Sequence, residues 1–172
     1  MKVLAGFILC LIILSVGGII YIYSGSYNVS VSNRDEGLTR WILETTKDNS
    51  IEHHAKNIDI PSLDDSTMIL RGYVHYSRMC GCHGAPGRES NNSFNPEPPE
   101  LYKTVGDLNA NELFWIIKNG IKMSAMPSYA GRSSDDEIWD IVSFVRNLPK
   151  ITPEAYKAME LKAKKAGFIE KH

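Results

Sequence analysis

The sequence predicts an all-α chain: one membrane-spanning helix, a short helical extension and a small helical domain. Three observations carry this. Val3 to Tyr23 runs without a charged side chain, and as a helix it would reach about 31 Å, close to the thickness of a hydrocarbon core. Beyond it, apolar residues recur three and four positions apart, punctuated by capping residues, Pro and Gly. No stretch shows the alternation of period two that a half-buried strand requires.

The elements follow in order. Lys2 ahead of the apolar run favours an N-terminus that stays inside and a remainder that is exported. The run exceeds the ~7–15-residue apolar core of a cleavable signal, so residues 1–26 are expected to be an uncleaved anchor. Ser24-Gly25-Ser26 is the competing cleavage site. Cys10 follows Phe7-Ile8-Leu9, too bulky for a lipid-attachment site, and reads as a lipid-facing side chain. Residues 27–66 form a helical linker extension. Leu38, Trp41, Ile42 and Thr45 mark a helix over 36–48, and Ser50 is placed to cap a second, short helix over 51–57, which Pro61 closes.

The next unit spans 67–150. Ser62 to Asp65 open a helix with the apolar face Met68, Ile69, Tyr73, Val74 and Tyr76, ending near Cys80. Residues 84–104, rich in Gly, Pro, Asn and Ser, form a loop of a length that is uncommon unless it wraps something. Asn109 or Asn111 caps a helix stopped by Asn119-Gly120. Ser133 or Ser134 caps another, with Glu137 as capping-box partner of Ser134. Its stripe is Ile138, Ile141, Val142, Val145 and Leu148, and Pro149 ends it. Residues 151–172 are a basic helix that starts at Thr152-Pro153 and that Gly167 stops. Its Lys157, Lys162, Lys164, Lys165 and Lys171 make a solvated face or a surface for an acidic partner.

Composition excludes several functions. Nineteen basic and 20 acidic residues give a net charge of −1, without the positive excess that nucleic-acid binding needs. Three Cys in 172 residues do not make a disulfide scaffold. Cys80 and Cys82 stand two positions apart, a spacing that usually points the side chains away from each other.

The chemistry lies in Met79-Cys80-Gly81-Cys82-His83-Gly84-Ala85-Pro86-Gly87. Cys followed by His at a helix end is the arrangement of covalent haem: a thiol adds across a haem vinyl group and the adjacent imidazole reaches the iron. The usual spacing is C-x-x-C-H; this chain has C-x-C-H, one residue short. Zinc generally takes four ligands, and His53, His54, His75 and His172 offer no second paired spacing. A redox C-x-x-C pair fails on spacing. Met126, before Pro127 in a loop between two helices, is the candidate second axial ligand, a soft thioether that favours Fe(II). Met123 is expected to pack in the core instead.

Several ordered motifs carry a family resemblance. They are Gly72-Tyr73-Val74-His75-Tyr76, Cys82 to Gly87, Pro96-Glu97-Pro98-Pro99-Glu100-Leu101, Glu112 to Met123, Ala125-Met126-Pro127 and Glu137-Ile138-Trp139 through Leu148-Pro149. Residues 68–149 thereby resemble a class I c-type cytochrome domain, closest to bacterial membrane-anchored single-haem cytochromes c. Leu38-Thr39-Arg40-Trp41 and Glu44-Thr45-Thr46 are similar to that subfamily's N-terminal extension. The resemblance implies a cytochrome c-like fold and one covalently attached haem c, with His83 and Met126 as axial ligands and Cys82 as a haem-attaching thiol. Cys80 is the departure: either it is the first thiol with one residue deleted after it, or Met79 stands in the first-thiol position. Pro98, Pro99 and Leu101 match the loop beneath the haem, where a backbone carbonyl could hold the His83 Nδ1–H, or else form a Pro-rich connector. Trp115 and Trp139 are expected to pack between helices rather than edge the haem, and Tyr73 and Tyr76 to face the helix at 135–148. His53, His54 and His75 are expected in packing or surface roles.

The function implied is non-enzymatic: single-electron transfer between respiratory redox partners, on the periplasmic face of a bacterial inner membrane. Two other readings remain: a gas-binding or sensing haem protein, which needs a weakly held sixth position, and a haem-free structural subunit of an oxidase complex.

Overall fold

The computed structural model describes residues 2–34, 37–79 and 82–168, and the chain forms two compact units, 1–34 and 35–172. In the first, helix α1 (Lys2–Tyr23) takes in the whole charge-free run and buries none of its residues. A helix whose apolar side chains are exposed all round is one that lipid solvates better than water does. Cys10 is exposed on it as a free thiol. Ser24 ends the helix by turning its N–H to the Ile20 carbonyl.

The second unit begins with α2 (Gly37–Ala55), a single helix where the sequence suggested two. Ser50 therefore caps nothing. Asn49 turns its side-chain amide back to the Thr45 carbonyl at 2.8 Å, so its polar group supports the helix instead of interrupting it. Ile51 and Ala55, one turn apart, are buried, and that burial outweighs the small helix penalty of Asn and Ser.

Helix α3 (Ser66–Met79) starts one turn later than expected, where Asp65 accepts the Thr67 N–H at 2.8 Å. Residues 82–100 run without regular structure into a four-residue turn, α4 (Leu101–Thr104), and a 3₁₀ turn at Val105–Asp107. α5 (Ala110–Asn119) is boxed at its start by the Glu112 carboxylate, which accepts the Asn109 N–H at 2.7 Å. α6 (Asp135–Asn147) has the Ser134–Glu137 capping box that the spacing predicts, and passes through a 3₁₀ turn, Leu148–Lys150, to α7 (Pro153–Lys165), capped by Thr152. The described residues contain no strand, only two isolated bridges.

The core lies between α3 and α6. Ile138, Ile141, Val142, Val145 and Leu148 are all buried, and Tyr73 and Tyr76 set their rings 5.8 and 5.1 Å from that of Phe144. Phe114 of α5 stacks on Trp139 at 4.3 Å, and α7 closes the far side with Ala163 and Tyr156. The two main helices meet at Gly72. A Cβ there would fall inside the Asp140 carbonyl oxygen and 2.7 Å from the Phe144 Cβ. Next to it, Arg71 forks onto the buried Asp140 carboxylate, Nε to Oδ2 at 2.7 Å and Nη2 to Oδ1 at 2.8 Å. The bidentate geometry gives this charge two directed donors.

Overpacking at a backbone contact has no rotamer by which to escape. Gly72→Ala should therefore lose about 1–3 kcal/mol of unfolding free energy or more. Gly106→Ala, where a Cβ meets nothing within 4 Å, should stay close to the parent in the same denaturant titration.

Candidate functional site

His83 and Cys82 stand in the first turn after α3, both half-buried. Cys82 is a free thiol, while Cys80 and Gly81 lie outside the described residues. The turn is pinned from three directions. Tyr76, buried on α3, donates its hydroxyl to the Gly84 carbonyl at 2.7 Å. Ala85 and Arg88 exchange backbone hydrogen bonds at 2.8 Å each, and Asn91 donates its N–H to the Cys82 carbonyl at 2.9 Å. Gly84 sits at φ 69°, and a Cβ there would stand 2.6 Å from the Arg88 carbonyl oxygen. The turn thus requires the residue without a Cβ.

The His83 ring is oriented from the other side of the loop. Its Nδ1 is 2.9 Å from the Pro99 carbonyl oxygen. A carbonyl only accepts, so the ring proton sits on Nδ1 and Nε2 carries the lone pair. Burial pushes the His83 pKa down, against the smaller upward pull of the Pro99 carbonyl, which keeps the ring neutral near pH 7. Neutral imidazole with a free Nε2 is the form that binds a metal. Pro98 and Leu101 are half-buried and Pro99 exposed. Leu101 opens α4 and packs against the core. Glu100 sets this corner, its carboxylate paired with Lys103 and accepting the Tyr102 hydroxyl at 3.1 Å. The Lys103 hydrogen bond, foremost, holds the Glu100 carboxyl below its ordinary range.

Met126 lies in the loop between α5 and α6, half-buried and packed against the core. Its N–H goes to the Ser124 hydroxyl at 3.1 Å, that hydroxyl donates to the Ile121 carbonyl at 2.8 Å, and the Met126 carbonyl accepts the Ile121 N–H at 3.2 Å. Gly120, at φ 70°, lets the loop close, since a Cβ there would stand 2.8 Å from the Met126 carbonyl oxygen.

Residues 67–145 match the family described as cytochrome c oxidase, cbb3-type, subunit III. Over those residues the match supports a c-type cytochrome domain. No curated protein and no solved structure matches the chain. A cytochrome domain of this kind binds haem c and exchanges electrons with redox proteins.

The residues present fit that group. The donor set is one imidazole with Nε2 unpartnered among the described residues, one thioether, and a thiol adjacent to the imidazole. Among the described residues, His, Cys, Asp and Glu nowhere gather in threes as ligands for a bare ion, which leaves the zinc reading without a site there.

Trp139 is buried against Phe114, and Trp115 stacks on His54, ring centres 5.6 Å apart. His75 lies 3.9 Å from Glu137. Met123 is a correction: it is 82% exposed and sits at φ 59°. The turn that closes beneath Met126 needs a left-handed residue at this position, and that backbone aims the side chain outward. Sequence reading treated Tyr76 only as a packing residue and did not single out Ser124. The signal for Ser124 was a hydroxyl two residues before the methionine, the spacing of a local Ser turn.

Tyr76→Phe removes the partner of a buried carbonyl and keeps the ring. It should cost about 1–3 kcal/mol of stability, read as a lower denaturation midpoint with the visible spectrum unchanged below the transition.

Proposed function

We propose that this chain is a membrane-anchored monohaem cytochrome c that carries single electrons between respiratory partners from the periplasmic face of a bacterial inner membrane. The observation that supports it most directly is the His83 Nδ1–Pro99 carbonyl contact of 2.9 Å, which presents Nε2 as a ready donor. It stands beside a thiol at Cys82, in a domain of cytochrome type.

Haem c supplies the chemistry when bound: its iron accepts and gives up one electron between Fe(III) and Fe(II). His83 would hold the iron through Nε2. The Pro99 carbonyl, by taking the Nδ1 proton, fixes the tautomer and makes the donor more basic. Met126 would supply a second donor, a soft sulfur that favours the reduced state. Cys82 would be the point of covalent attachment through its thiol, with Cys80 as the second thiol or a free one. Pro99 would keep the imidazole oriented through its carbonyl, while Pro98 and Leu101 are half-buried and Leu101 packs against the core. Both His83 and Met126 would be supplied by the chain itself. No bond in a substrate is made or broken, so the protein is not an enzyme. α1 retains the carrier at the membrane, and partner contacts are brief and small in area. A gas sensor would need an open sixth position, which Met126 would close.

The intact mass of the mature protein, made in a cell with cytochrome c assembly machinery, should exceed the polypeptide mass by one haem and include residues 1–26. The pyridine haemochrome should report the vinyl groups consumed. A colourless product would overturn the proposal. Met126→Ala should lower the reduction potential and let the reduced protein bind carbon monoxide rapidly. Rapid, complete binding by the unsubstituted protein would favour the sensor.

A further inference from the structure

Among the described residues of the second unit, the first turns of α2 leave an apolar stripe uncovered, with Leu43, 45% exposed, beside it. On α2, Leu38, Trp41 and Ile42 are 69%, 62% and 46% exposed, at the i, i+3, i+4 spacing that puts them on one side of the helix. The C-terminal half of the same helix is differently employed. Ile51 and Ala55 are buried there, His54 stacks on Trp115, and the Ala55 carbonyl accepts the Asn111 side-chain amide at 3.0 Å. At about 100° per residue, Ile42 lies on the opposite side of the helix from Ile51, and Leu38 about 140° from it. No sliding of α2 along α5 would therefore bury Leu38 and Ile42. Arg40 and Lys47 project from the far side of the stripe, and Arg40 pairs with Glu44 at 3.0 Å. The stripe itself carries no charge.

We propose that Leu38, Trp41 and Ile42 rest in the lipid interface of the membrane that α1 spans, so that the N-terminal half of α2 is a second, peripheral membrane contact. This rests on the reading of α1 as a retained anchor. Chain length supports lipid as the occupant. Residues 24–36 extend at most about 45 Å, so a lipid surface is always within reach of α2. The chemistry agrees as well. An indole flanked by two branched aliphatics is suited to the headgroup boundary, where one end is apolar and the other wet. A one-sided stripe of this kind is buried about 5–10 Å into that boundary.

The tryptophans make a direct test available. The chain has three, Trp41, Trp115 and Trp139, and α1 contains none. Trp139 is buried and Trp115 is half-buried behind His54. The full holoprotein is reconstituted in phosphatidylcholine/phosphatidylglycerol vesicles with and without brominated acyl chains, and tryptophan emission is recorded on vesicles recovered by flotation. Brominated lipid should quench the emission. Trp41→Phe should remove more than about half of that quenching, and Trp115→Phe should leave it in place. Ile42→Glu, which keeps the fluorophore, should reduce the quenching without changing flotation. Floated protein that is not quenched, or quenching that survives Trp41→Phe, would overturn the lipid contact while leaving the anchor intact. Protein that fails to float would overturn the anchor and this contact together.

Discussion

The crossing of α3 and α6 at Gly72 is the constraint on which the helical unit depends. The absence of a Cβ at one position lets two helices approach to backbone contact against Asp140 and Phe144. Everything apolar in that interface is set by this distance: the rings of Tyr73, Tyr76 and Phe144, and the wholly buried Ile138, Val142 and Leu148. The Arg71–Asp140 pair sits at the same level. It gives a buried carboxylate two charge-assisted partners, without which its desolvation would be a liability. One small residue and one fork of donors together define how the helices that flank the site are placed.

From that crossing the site is assembled by backbone carbonyls more than by side chains. Tyr76 reaches from the core to the Gly84 carbonyl, and the Pro99 carbonyl reaches the His83 ring. Two glycines, 84 and 120, let the two loops turn where a Cβ would strike a neighbouring strand of backbone. The Met126 loop is held by its own hydrogen bonds, the His83 turn by its own and by Tyr76 of α3, and α3, α5 and α6 serve as the frame that fixes where each loop begins.

α2 changes its buried face along its length. Its last turns pack on α5 while its first turns expose an apolar side in another direction. The change of face along the helix is a property of the residue register, since a helix presents residues nine apart on opposite sides.

Much of this was legible in the chain. The caps, narrowed to Asn109 or Asn111, to Ser133 or Ser134 and to Thr152, the stripe from Ile138 to Leu148 and the charge-free run from Val3 all act through neighbours within one or two turns, so local chemistry brings each to within a residue or two; the structure settles on Asn109 and Ser134. Cys82-His83 and Met126-Pro127 named the candidate donors, because few residue types offer a thiol beside an imidazole or an aimed thioether. Tertiary structure decided what local chemistry leaves balanced. It made α2 one helix through Ser50, since burying Ile51 and Ala55 on α5 exceeds a weak propensity. It turned Met123 to solvent, because closing the loop on the Met126 carbonyl demanded a left-handed backbone there. It chose the Pro99 carbonyl as the partner of His83, a choice that depends on where a long loop returns, and no spacing between residues 83 and 99 encodes a distance in space.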